Sequence, residues 1–281
     1  MHTPLHHHIR PGIVHFMAFP ATIKGEGPIL ETIRQILVDP YFEVLEISWI
    51  KDAAVRAQVK AMLAGSAVEL KYGAQPRLLT QKLDLNSDDE AMRARAVSEI
   101  KHAIDEAAEL GVRDVGLLSG SDVPAAERPA AMDRLEKSLV ELCDYAGGRG
   151  CRIVLEVFDR EIDKKALIGP VATAREIAER VKRSCKNFGL LVDLSHIPLL
   201  GESPEQALVP VKEHIAHIHI GNAYFADQRT SPAWGDQHPS FGFPGGANDV
   251  PEIVAFLKVL FQIGYLKADG SARGNVSFEI K

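Results

Sequence analysis

Four apolar stretches in the second half of the chain carry an acid or an imidazole near their carboxyl ends. They read CRIVLEVFD with Glu156, FGLLVDLSH with Asp193 and His196, HIAHIHIGN with His219, and NVSFEIK with Glu279. A carboxylate at the end of a buried run is costly unless it is paired or bound to a cation. If they converge on one point, Glu156, Asp193, His219 and Glu279 make a divalent-metal site of three oxygen donors and one nitrogen, with no thiolate. That donor set suits one Mn²⁺, Mg²⁺ or Co²⁺ ion in an open octahedral site, and Zn²⁺ is also admissible. Two open positions on such an ion would chelate adjacent oxygens of a substrate. An enzyme is therefore the leading expectation.

Neighbouring residues divide between chemistry and packing. His217 and His219 alternate with Ala216, Ile218 and Ile220, so both face one side of a strand. His219 is the expected ligand because it lies nearer the strand end, and His217 is expected to be a hydrogen-bonded core histidine. Glu46 and Trp49, in EVLEISWI, are expected to line the pocket, with Glu46 equally suited to be a paired interior acid. His15 on the first strand is a weaker case of the same kind.

These residues need a scaffold that brings several strand ends together. Short β-branched runs alternate with longer amphipathic ones along the chain. The expected strands are residues 12–19, 43–50, 67–72, 114–120, 152–158, 189–194, 216–221 and 276–280. Their near-continuous hydrophobicity suits parallel strands buried on both faces. Helical patterns lie between them at 29–39, 51–65, 88–111, 127–148, 171–185, 203–215 and 250–264. The clearest repeats Ala91, Ala94, Val97, Ile100, Ile104 and Ala107 at helical spacing. Eight strands in repeated βα units imply an α/β fold, the (β/α)8 TIM barrel, whose active face is formed by the carboxyl ends of the strands. Glu156, Asp193, His219 and Glu279 then sit on consecutive strands five to eight.

The expected organisation is a single TIM-barrel domain over residues 1–281, with an N-terminal arm at 1–10 and a long loop at 221–249. No outer helix follows the eighth strand before Lys281, so that flank is expected to be covered by something else, and a homo-oligomer is favoured. The 281 residues carry a formal net charge of −6, which disfavours a phosphate-tracking nucleic-acid surface. No apolar run is long enough to span a membrane and the start lacks the core of a signal peptide. The three cysteines follow no paired or zinc-like spacing. A cytoplasmic protein acting on a small-molecule substrate is the expectation.

The order LEVFDR, VDLSH, HIHIG and a terminal FE resembles the xylose-isomerase-like barrel superfamily. Within it, the pattern is similar to the sugar phosphate isomerase/epimerase branch, which includes ketose 3-epimerases and hydroxypyruvate isomerase. The resemblance spans essentially the whole chain. It implies that Glu156, Asp193, His219 and Glu279 bind one divalent ion, and that Glu156 and Glu279 form the catalytic pair. It also implies that His196, three residues after the Asp, touches a substrate oxygen. The chain departs from that pattern after strand seven, with Asn222 and Phe225 where the epimerases carry a Glu and an Arg. The acid expected shortly after the strand-five Glu is displaced, with Glu161 the nearest candidate.

The chemistry expected of such a site is proton removal next to a carbonyl, through a metal-stabilised enediolate. Two carboxylates passing protons on opposite faces would epimerise a sugar, and one shuttling a proton between adjacent carbons would isomerise it. The 221–249 segment holds Trp234, Asp236, His238, Phe241 and Phe243 among glycines and prolines. It is expected to be an ordered flap over the sugar, with Arg229 and His238 contacting substrate. Lys164, with Arg160 and Lys165, is a candidate for holding a carboxylate or phosphate. The main alternative is a metal-dependent dehydratase or lyase of a keto-sugar or cyclic polyol. Less favoured are an endonuclease-IV-like hydrolase, which asks for several metals, more histidine ligands and a basic groove, and a non-catalytic sugar-binding barrel.

Overall fold

Eight parallel strands close on themselves in chain order. The structure is a computed structural model and describes residues 3–226 and 230–281. The strands are β1 (Ile9–Val14), β2 (Val44–Ile47), β3 (Glu69–Gly73), β4 (Asp114–Leu118), β5 (Arg152–Val157), β6 (Phe188–Asp193), β7 (Ile215–Gly221) and β8 (Gly274–Glu279). Every residue of β4 and β6 is buried, as expected of strands covered on both faces. The outer helices press apolar stripes on the barrel. Ile100 and Ile104 from helix Glu90–Glu109, and Leu135, Leu139 and Leu142 from helix Arg128–Gly147, are fully enclosed.

Several boundaries differ from the sequence expectation. β1 starts at Ile9, so the last two residues of the expected arm are strand, paired with Gly274 and Asn275 of β8. His15 opens a short helix, His15–Ala18, instead of lying on β1. The 203–215 pattern resolves into helix Pro204–Leu208 and a 3₁₀ turn, Val209–Val211, because Pro210 cannot continue an α-helix. Short helices Gln75–Gln81 and His196–Leu200 follow β3 and β6, where no helix was expected. Helix Val250–Gln262 starts in a reciprocal cap between Asp249 and Glu252. No helix among the described residues is long and apolar enough to cross a membrane.

The barrel interior is unusually polar. At its amino-terminal end Lys71 pairs with Glu69 and Asp114, while Arg10 and Arg152 pair with the same two acids. Midway up, Glu46 of β2 reaches across the interior to His217 and His219 of β7. One register fault sets that geometry. Leu190 pairs with Ile215, but Leu191 pairs with His217, so Ala216 is bulged out and Asp193 faces His219. Gly189 makes room for the bulge: a Cβ there would stand 2.4 Å from the Ala216 Cβ. Without the extra residue, Asp193 would face Ile218 and both histidines would turn away from the interior.

Candidate metal centre

The carboxyl ends of β5 to β8 bring Glu156, Asp193, His219 and Glu279 together. Each offers one ligand atom, and the four atoms lie within 4.8 Å of one another. All four side chains are buried, none more than 8% exposed. Two of the carboxylates share a pattern: one oxygen is anchored by an N–H donor and the other is left toward the centre. Gln75 Nε2 donates to Glu156 Oε2 at 2.7 Å, and the Ser195 N–H donates to Asp193 Oδ1 at 2.8 Å. Glu279 Oε2 is held by His219 Nδ1. Glu156 Oε1 and Asp193 Oδ2 are buried with no hydrogen-bond partner. Buried orphan oxygens of this kind are satisfied by a bound ion or by ordered water. These two oxygens, a Glu279 oxygen and the His219 imidazole fit a single divalent cation, with Gln75 and the Ser195 N–H orienting two of its ligands.

Electrostatics separates the acids. Burial and the neighbouring Glu279 push Glu156 up to about 8. Burial also raises Glu279, but His238 and His219 outweigh it and hold its carboxyl at about 2. Burial raises Asp193.

The segment after β7 lies down on this centre. Gly221 permits the approach, since a Cβ there would meet His238 Nδ1 at 2.7 Å. His238 takes a left-handed backbone, φ 51°, uncommon for a residue with a side chain. Its ring lies 3.9 Å from Asp193 Oδ2 and 3.8 Å from Glu279 Oε1. Asn248 Nδ2 ties the far end of the segment to the carbonyls of Leu194 and Gly221, at 3.1 Å each. His196, at the start of its helix, stacks near Phe158 and sits 3.9 Å from Glu156 Oε1. Lys164 Nζ reaches Asp236 Oδ2 at 3.0 Å.

Other expectations are corrected. Glu46 is the paired interior acid: its carboxylate is taken up by His217 and by His219 Nε2, at 2.9 and 3.0 Å for the latter. Trp49 is not gathered at the centre. Its indole N–H donates to the Ile23 carbonyl, and Lys51 and Arg77 lie over its ring. Glu161 is exposed and supplies no site acid. Arg160 donates to the Leu167 carbonyl instead of forming an anion pocket. Arg229 lies outside the described residues.

One residue beside the centre had not been named, and another had been named without a role. Gln75 is found on the helix after β3, a position with no sequence signature beyond following a strand end. Asp236 lies two residues before His238, and the D-x-H spacing was its only signal. A cavity of about 880 Å³ opens at the opposite end of the barrel, lined by Lys71, Arg113, Asp114 and Arg152 among others. Three of those four charges already have partners, so size alone does not mark the chemistry there.

The chain is similar in fold to a D-psicose 3-epimerase from Clostridium cellulolyticum H10 solved with D-tagatose (TM-score 0.70, 17% identity, 97% of this chain and 85% of that one). It is also similar to the IolI protein with a bound zinc atom (TM-score 0.70, 18% identity, 97% and 89%). A third is the apo 3-keto-D-glucoside 4-epimerase of E. coli (TM-score 0.66, 17% identity, 97% and 93%). No curated protein matches the sequence. Residues 41–280 match the family described as xylose isomerase-like TIM barrel, and the chain belongs to that family.

Proposed function

We infer that the protein is a divalent-metal-dependent isomerase or epimerase acting on a sugar or sugar derivative. The observation that carries this reading is the convergence of Glu156, Asp193, His219 and Glu279, each with one ligand atom directed inward. Those four side chains would hold the ion, which when bound supplies positive charge beside the oxygens of a keto-alcohol. Similarity in fold to sugar epimerases supports the substrate class.

The chain's own groups perform the proton transfers. Burial and the neighbouring Glu279 push Glu156 upward, while His238 and His219 hold Glu279 down. Two carboxylates flanking the bound sugar would take a proton from the carbon next to a carbonyl and return one. Gln75 keeps Glu156 oriented, and Glu46 holds Nε2 of His219 so that Nδ1 faces the centre beside Glu279. His196 and His238, beside them, would contact substrate oxygens. The segment after β7 excludes water while it lies over the centre and must move to admit substrate.

Metal-replete protein screened against ketoses, aldoses and oxidised sugars tests the reading. With a substrate in hand, Glu156→Gln and Glu279→Gln should each lower turnover about a hundredfold or more, the scale of lost acid–base catalysis. Near-normal turnover in either variant removes that residue from catalysis. Loss of water from a cyclic polyol, with no sugar rearranged, would assign the site to dehydration instead.

A further inference from the structure

Charge is unevenly placed on this chain. The whole carries a net −6, yet the amino-terminal mouth of the barrel holds more cations than acids. There Lys71 pairs with Glu69 and Asp114, Arg10 with Glu69, Arg152 with Asp114, and Arg273 with Glu43. Those are four cations on three acids. Glu69 and Asp114, the two acids that line the cavity, are used up. Glu69 also accepts from Asn275 Nδ2 at 2.9 Å, and Asp114 takes two parallel bonds from Arg152, each 2.8 Å. Arg113 is a fifth cation. It is exposed, and its side chain makes no ion pair or hydrogen bond among the described residues. An anion arriving here meets unbalanced positive charge, not open carboxylates.

The sequence builds this arrangement from one device used twice. Helices Glu90–Glu109 and Arg128–Gly147 are each followed by a glycine with a left-handed backbone, Gly111 at φ 78° and Gly150 at φ 69°. Both turns close the same way. The Val112 N–H donates to the Ala107 carbonyl at 2.8 Å, and the Cys151 N–H to the Ala146 carbonyl at 2.9 Å. An arginine stands two residues after each glycine, Arg113 and Arg152, at the entrances of adjacent strands β4 and β5. The Arg152 N–H donates to the Arg113 carbonyl at 2.7 Å, so the two side chains start from neighbouring positions. A Cβ added to Gly111 or Gly150 would meet nothing within 4 Å, which keeps the space beside the arginines open.

That space is the cavity of about 880 Å³, lined by both glycines and both arginines. Its volume is that of a small-molecule site and exceeds what a bare phosphate would fill. Half-buried Val68 and Leu70 give it an apolar wall. The pair with Asp114 uses Nε and Nη2 of Arg152 and leaves Nη1 over. Guanidinium groups match the oxygens of a phosphate in geometry as well as in charge.

We propose that this cavity binds a small phosphate ester, its phosphate on Arg113 and Arg152 and its organic part against Val68 and Leu70. The site lies at the opposite end of the barrel from the metal centre, so its occupant is an effector and not the substrate. This goes beyond the proposed function and stands or falls separately from it.

Calorimetric titration of the full, metal-loaded chain with glycerol 2-phosphate, inorganic phosphate and uncharged glycerol tests the site. The ester should bind, phosphate should bind more weakly, and glycerol should not bind. Arg113→Ala should weaken ester binding about tenfold or more, the scale of one lost charge-assisted hydrogen bond, with thermal unfolding unchanged. Arg113→Gln reads the same loss if the first variant fails to fold, and Arg113→Lys should restore part of the affinity. Absence of ester binding at millimolar concentration overturns the site. So does ester binding that is indifferent to Arg113→Ala and disappears on chelation, since that ligand would sit at the quartet ion. Phosphate binding as tightly as the ester overturns the place assigned to the organic part.

Discussion

Gln75 is the residue whose loss separates positioning from ligation. It holds Glu156 Oε2 and leaves Oε1 for the ion. Gln75→Leu should lower turnover by about 10–100-fold, the usual effect of removing an outer hydrogen bond at such a site, with metal content unchanged. Loss of the ion together with activity would make Gln75 structural for the whole centre. His15 offers a pH test away from the site. Burial lowers it to about 4, and its ring meets Thr32 Oγ1 at 2.7 Å. The unfolded chain takes up this proton below about pH 6.5 and the native one not until about 4. Stability should therefore fall as pH drops across that window, by up to about 3 kcal/mol, with no contribution above it. Denaturation of the parent and His15→Asn at pH 7 and pH 4.5 checks this. The stability difference between them should move in favour of the variant at the lower pH, and an equal difference at both would contradict it. The ligand quartet was legible because each member ends an apolar run. Gln75 and the pairing of Glu46 with the histidines were not, because their partners lie on strands far away in sequence.

At the scale of elements, alternation of strand and helix was readable from periodicity, while the fault between β6 and β7 was not read from it. HIAHIHIG alternates from His217 onward, and the adjacent apolar pair Ile215 and Ala216 breaks the period where the bulge falls, a signal that the sequence reading passed over. The bulge depends on Gly189 of the neighbouring strand, a contact that only pairing reveals. Gly189→Ala should force the two backbones apart, costing about 1–3 kcal/mol as overpacking does. It should also weaken metal binding, because Asp193 and His219 lose their alignment. Thermal unfolding and zinc titration read the two effects separately. Unchanged zinc affinity would show that the bulge does not set the site. The segment after β7 was expected to be a flap from its length and aromatics. Its descent onto the centre through Asp236 and His238 depends on Gly221, whose role emerges only in three dimensions.

At the scale of the molecule, a closed ring of parallel strands is what lets residues more than a hundred positions apart meet at one point. The ring was legible from eight repeated units. Its polar interior was legible only at Glu46, whose role as a paired interior acid was one of two expected, because Lys71 and Asp114 read as ordinary interruptions of strands until their pairing is seen. The most direct measurement is exchange of substrate hydrogen with deuterated water, followed by NMR, for chelator-stripped protein, reloaded protein and reloaded Glu156→Gln. The account predicts exchange at one carbon next to the carbonyl in reloaded protein, and none in the other two. Undiminished exchange in the stripped protein, with the quartet shown to be free of metal, would contradict it.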